Sequence, residues 1–206
     1  RQSPAITLGN RAGISGLSIQ YQAQNTNEIR EYPFTIAQNG TEAVSLTDLE
    51  LVNSYRAILL GEESCDSALL ENLYITALQT GIQIDRCSGL LRMEKIKISP
   101  KYWSNKPKDK KENYDANSVS DFLTENLTAM AFGDIADAQL YNIEIDTARK
   151  GIAANIPQQS PGLLSVTSLF TANNVEVFSV ESLGQGGMAV NLSDLRSTGL
   201  MDSSIV

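Results

Sequence analysis

The stretch CDSALLENLYITALQTGIQIDRC (65–87) decides the fold. It holds both cysteines of the chain, 22 residues apart, and its middle recurs elsewhere. ISGLSIQ (14–20), LTDLELV (46–52), LENLYIT (70–76) and MEKIKIS (93–99) share one pattern. Each alternates apolar and polar residues, as a half-buried strand does. Their central residues Leu17, Leu49, Leu73 and Ile96 stand 32, 24 and 23 residues apart. A fifth copy, LYNIEID (140–146), centres on Ile143, 47 residues after Ile96. That distance reads as about two periods with an insert between.

A second anchor follows the strand and keeps the same register. It reads SYRAILLG (54–61), LQTGIQID (78–85) and ARKGIAAN (148–155). Ala57 and Gly81 are 24 apart, like Leu49 and Leu73, and Gly151 follows Ile143 at the distance by which Gly81 follows Leu73. A unit of 22–24 residues with two short strands cannot bury its own apolar face, whereas stacked units can. Leucine-rich repeats need an LxxLxLxxN pattern, and helical repeats a 3.6-residue periodicity; neither is read here. A β-sandwich also has short, evenly spaced strands, but has no reason to keep a 24-residue register. The expected fold is all-β, a right-handed parallel β-helix forming a single domain over 1–206, with an insert at 104–134.

Two interruptions break the repeat. The first coil is overlong near YQAQNTNEIREYPF (21–34). The insert opens with Lys106, Lys108, Lys110 and Lys111, which read as a solvated basic loop in an acidic protein. It then predicts a short helix capped by Ser118 or Ser120, with Phe122, Leu123, Leu127 and Met130 as an apolar stripe packed over the coils. Before it, SPKYWSN (99–105) carries Tyr102 and the only tryptophan, Trp103. Such aromatics suit the CH faces of sugars, and equally suit sealing the base of the insert.

The composition narrows the chemistry. The chain has 206 residues, 42% hydrophobic, with a net charge of −8. This acidity argues against nucleic acid and anionic membranes as partners. No apolar run is long enough to insert into a membrane. There is no histidine, which removes Ser-His-Asp and Cys-His catalysis and histidine metal sites, and the cysteines form no CxxC. No metal site is expected. The opening residues, RQSPAITLGN, have no apolar signal core, so the chain reads as mature or as a piece of something longer.

Several segments, in this order and spacing, are distinctive: GLSIQYQAQNTNEIREYPFTI (16–36), LELVNSYRAILLG (49–61), ALQTGIQIDRCSGLLRMEKIKISPKYW (77–103) and FLTENLTAMAFGD (122–134). Over about residues 8–155 the chain resembles the glycoside-hydrolase-family-28-related branch of the pectate-lyase-like superfamily. The resemblance implies a single-stranded right-handed β-helix, secreted or in the cell envelope, acting on polysaccharides. The Asp-rich GDGxxDD segment of that branch is missing, so a fragment lacking the N-terminal coils is expected. The branch has an aromatic-Tyr-Pro where this chain has Gln20-Tyr21-Gln22, and a histidine where Lys97 lies.

Hydrolases of this kind use paired carboxylates, and lyases a base with the uronate neutralised by calcium or cations. Residues one period apart become neighbours on one sheet. Glu50, Tyr74, Lys97 and Glu144 share an outward position, and Asp48, Asn72, Lys95 and Asn142 share the one before it. The plain reading is a solvated face whose alternating charges avoid like-charge stacking. The functional reading makes Glu50, Glu144, Glu94 and Lys97 catalytic, with Tyr21, Tyr74, Tyr102, Trp103 and Arg92 binding substrate. Asp85 and Arg86 suit an ion pair shaping a turn as well as a site. The expected function is a polysaccharide-active protein, a glycoside hydrolase ahead of a lyase. The alternatives are a non-catalytic carbohydrate-binding or adhesin-like protein and a structural appendage. No cofactor is expected, save calcium for a lyase. Further coils or chains are the expected partners at the solenoid ends. Three sequons, at Asn39, Asn126 and Asn191, are compatible with export. Cys65 and Cys87, one coil apart, should stack about 4.8 Å apart, as a disulfide or as a reduced pair.

Overall fold

The computed structural model describes residues 3–26, 28–103, 116–156, 162–199 and 203–205. The lysines at 106, 108, 110 and 111 lie outside the described residues. The described chain contains β1 (Ile6–Leu8), β2 (Gly13–Gln20), β3 (Phe34–Gln38), β4 (Val44–Leu60), β5 (Ala68–Ile98), a 3-10 turn at Pro100–Tyr102, α1 (Ala116–Asn126), β6 (Thr128–Ile156), β7 (Gly162–Leu183), β8 (Met188–Thr198) and β9 (Ser203–Ile205). The strands belong to one sheet, and their pairings are parallel. The fold is thus all-β with one short helix, compatible with a parallel β-helix.

Two ladders carry the stack. In the first, Leu17 pairs with Leu49 and Leu49 with Leu73. Ile96 pairs with Ile143, then Leu169 and Leu195. The amide of Ser99 bonds the carbonyl of Ile75 at 3.1 Å, which joins the two halves within β5. In the second ladder Ile6, Ile36, Ile58, Ile82 and Met130 follow one another, and Ile152 is followed by Phe178 and Ile205. The 24-residue register expected from Leu49 and Leu73 is therefore a pairing register.

One expectation about that register is corrected. Ile96 and Ile143 are direct neighbours, not two periods apart. The 47 residues between them hold one ordinary repeat, with the 3-10 turn and α1 looped out of it.

Strict alternation is corrected as well. Leu46, Leu49 and Leu51 are all buried, as are Leu70, Leu73 and Ile75, then Met93, Ile96 and Ile98, then Leu140, Ile143 and Ile145. Inward residues thus follow an LxxLxL spacing. The extra outward position is absorbed by a residue with positive φ just before the central one: Gly16 (69°), Asp48 (54°), Asn72 (54°), Lys95 (55°), Asn142 (54°), Ser168 (61°) and Asp194 (53°). The left-handed region is open to glycine and tolerated by Asn and Asp, which explains most of this column. The first six positions of the leucine-rich pattern are therefore present, with Ser54, Leu78, Lys101 and Ala148 where its asparagine would stand.

The second anchor has a steric cause. A Cβ on Gly81 would lie 2.4 Å from the carbonyl oxygen of Ala129, and one on Gly151 2.7 Å from that of Val177. Strand backbones pass too close there for any side chain.

The predicted helix forms, with different boundaries. α1 begins at Ala116, so Ser118 and Ser120 lie inside it rather than capping it. Val119, Leu123 and Leu127 are buried and Phe122 packs against the same core, while Met130 belongs to β6. In the overlong first repeat, the buried Gln24 closes a loop on itself. Its side-chain amide donates to the carbonyl of Arg30 and accepts from the amide of Arg30, both at 2.8 Å.

Cys65 and Cys87 are buried free thiols. They lie one repeat apart, the amide of Ser88 donating to the carbonyl of Cys65 at 2.9 Å. The thiol of Cys87 hydrogen-bonds the sulfur of Cys65, and with burial this pushes the Cys87 pKa up. Small thiols fill this inward column as apolar groups would.

Candidate functional site

Outward side chains of the first ladder line up across the strands. Ser18 is paired with Glu50 and Glu50 with Tyr74. Lys97 is paired with Glu144, then Phe170 and Arg196. At the N-terminal end of this face is an open groove of about 510 Å³. Gly16, Leu17 and Leu49 form its floor, Ser18, Asp48, Glu50 and Asn72 supply polar atoms, and Tyr74 and Tyr102 form a wall. The tyrosine rings meet edge to face, with centroids 5.3 Å apart and an interplanar angle of 77°.

The wall depends on a local device. Ser99 caps the 3-10 turn, its hydroxyl accepting from the amide of Lys101 at 3.2 Å, and Pro100 fixes the first turn position. The same hydroxyl donates to Asp146 at 3.2 Å. The turn thereby carries Tyr102 back toward Tyr74, 28 residues earlier in the chain. Burial pushes the Tyr102 pKa up, so its phenol keeps its proton.

The groove carboxylates are held by neutral donors. Ser18 donates to Glu50 at 3.0 Å. Asn72 donates to Asp48 at 2.7 Å, and Ser15 at 3.4 Å. Further along the face the charges pair with each other. Lys97 lies 3.1 Å from Glu144, and Lys101 lies 3.9 Å from Glu144 and 3.6 Å from Asp146. Arg92 lies 3.0 Å from Glu94, and Lys95 bridges Glu94 at 3.6 Å and Glu71 at 3.7 Å.

These contacts separate the predicted site residues. Glu50, Tyr74 and Tyr102 come together in the groove. Glu144 stands three strand positions from Glu50, about 14 Å at the ordinary strand spacing. That exceeds the separation at which two carboxylates share a glycosidic bond. The carboxylate of Glu94 is held below the usual range by its hydrogen bond from Arg92, then by Lys95. Glu144 raises the Lys97 pKa by hydrogen bond and charge, which favours the ammonium form. Arg92 also lies over the Tyr141 ring, 5.7 Å from its centroid.

Two predicted binding residues do not line this groove. Trp103, at the end of the 3-10 turn, is 6% exposed and joins the core. Tyr21 stacks with Tyr32, centroids 4.6 Å apart, inside the first-repeat loop. Asp85 accepts from Gln83 at 2.7 Å on the second face, and Arg86 is in register with Asp134. Asp48, Asn72 and Ser18 are groove residues that site reasoning passed over. Their signal was the register itself, which stacks them beside Glu50 and Tyr74.

Among the described residues no group of three or more Cys, Asp or Glu side chains could hold a metal ion, and no helix is long and apolar enough to cross a membrane. No family model, curated protein or solved structure matches the chain. The resemblance to the pectate-lyase-like superfamily therefore rests on the quoted segments, beside an all-parallel sheet that accords with it.

Proposed function

We propose that the chain winds as a right-handed parallel β-helix that binds a polysaccharide along its first face, as a secreted or cell-envelope protein. Two parallel ladders that stack the same inward columns strand on strand support the winding. One observation carries the ligand: the Tyr74–Tyr102 pair lines the same open groove as Asp48 and Glu50. Aromatic walls take the CH faces of sugar rings, and carboxylates accept their hydroxyls. An open groove on a repeating face suits a chain ligand. Affinity electrophoresis through gels cast with a polysaccharide panel tests this. Retardation by at least one glycan, lost in Tyr74→Ala, is expected; unretarded migration in every gel would sink the reading.

Hydrolysis is the second reading, favoured by one observation. Asp48 and Glu50 line the same groove two residues apart, about 6–7 Å along a strand, within the range of glycosidase carboxylate pairs. This replaces Glu144 with Asp48 as the partner of Glu50. Reducing-sugar release from a retarding glycan, abolished in Asp48→Asn and Glu50→Gln, would establish it. Retardation without release leaves binding as the function.

A further inference from the structure

We infer that the groove is built for an uncharged glycan and discriminates against uronate and sulfated chains, an inference that rests on the polysaccharide reading above. It comes from where the charges of this face go. Asp48 and Glu50 receive hydrogen bonds from Ser15, Ser18 and Asn72, all neutral donors. Arg92, Lys95, Lys97 and Lys101 each pair with Glu71, Glu94, Glu144 or Asp146. Arg196 on the same face is paired with Asp194 at 2.9 Å. Among the described residues, the groove lining thus holds two carboxylates and no cation.

An acidic sugar needs a positive partner. Recognition of carboxylate or sulfate groups ordinarily uses Arg or Lys. Seated here, such a chain would bring its charges against Asp48 and Glu50 at distances shorter than the screening length of physiological salt. Calcium could bridge like charges, but it takes six to eight oxygen ligands, and no acidic cluster of three is present among the described residues. Neutral sugars meet no such cost. Their hydroxyls donate to the carboxylates, while Tyr74 and Tyr102 offer ring faces and edges that discriminate no charge.

Native affinity electrophoresis at physiological ionic strength decides the matter. The probes are neutral glucan, xylan and galactomannan, then polygalacturonate, alginate and dextran sulfate, each with and without excess calcium. We expect retardation by at least one neutral glycan and affinities at least about tenfold weaker for every acidic one. Tyr74→Ala should weaken the neutral interaction about tenfold, with its melting temperature checked to exclude unfolding. Tyr102→Ala supplies a second variant if Tyr74→Ala is unstable. The Asp48→Asn, Glu50→Gln double variant should narrow the gap between acidic and neutral chains. Equal or tighter binding of an acidic glycan, with or without calcium, overturns this inference and leaves the polysaccharide reading standing. Binding that ignores both tyrosine substitutions places the ligand elsewhere and overturns it too. Failure of every glycan to bind overturns both.

Discussion

Lys97 Nζ lies 3.1 Å from Glu144 Oε2, although 47 residues separate the two in the chain. They are register partners on neighbouring strands, although the 3-10 turn and α1 stand between them in the chain. The pair is part of a row of compensated charges that ends where the groove begins.

That pair is a surface contact with limited energy. Lys97 is 40% exposed and Glu144 25% along the side chain, so Lys97→Met should cost no more than about 1 kcal/mol near neutral pH. The Lys97 pKa is raised in the folded state, chiefly by Glu144. Its stabilisation is therefore complete below the unfolded lysine pKa and is lost as pH rises through the folded one. Melting curves of wild type and Lys97→Met should differ at about pH 8 and converge once the pH has risen past the raised folded-state lysine pKa. A difference that widens on the alkaline side would contradict this.

Gly81 predicts a steeper effect. Gly81→Ala places a methyl 2.4 Å from the Ala129 carbonyl and 3.0 Å from the Ile98 side chain. Backbone on an adjoining strand cannot yield cheaply, so a loss of about 2–3 kcal/mol in urea unfolding is expected. Gly9 has nothing within 4 Å of its would-be Cβ. Gly9→Ala should accordingly leave the midpoint almost unchanged.

The column of left-handed residues gives opposite predictions at neighbouring positions. Asn72 has φ 54°, and Asn72→Val should destabilise by about 1–2 kcal/mol, since a β-branched residue fits that conformation poorly. Lys95 has φ 55° and only exposed ion pairs to lose. Lys95→Gly should then be neutral or stabilising by up to about 1 kcal/mol. A thermal melt in which both substitutions destabilise equally would count against backbone strain as the cause.

The thiol pair predicts silence followed by coupling. Cys65 is 0% exposed and Cys87 2%, and hydrogen bonding to Cys65 with burial pushes the Cys87 pKa up. A thiol reagent should label neither residue in the folded protein at pH 7 and both in denaturant. After copper-phenanthroline treatment of partially unfolded protein, an intrachain disulfide should form on refolding, read as the loss of two titratable thiols. Rapid labelling of the native protein would show that this part of the stack opens.

Local chemistry was written plainly along the chain. Leu49, Leu73 and Ile96 recur at one period because each must be buried by its neighbours. Asp48, Asn72 and Asn142 precede them because a left-handed residue must stand there. Gly81 and Gly151 recur because strand backbones meet there. These constraints act residue by residue, so residue types record them. The LxxLxL spacing was equally visible, but reading it as simple alternation hid the bulge. The pairing of Glu144 with Glu50 drew on both levels: the outward position of each was legible, the distance between them was not.

Sequence alone thus determined the repeat, its inward residues and its outward columns, because burial and backbone sterics leave a periodic trace. Tertiary structure alone decided that Ile96 and Ile143 are neighbours, since an insert of any length can leave a stack without disturbing its register. It alone decided that Trp103 turns inward while Tyr102 turns out to Tyr74. It alone decided which carboxylates kept a cation and which did not. Those outcomes depend on distances between residues far apart in the chain, and no local pattern carries them.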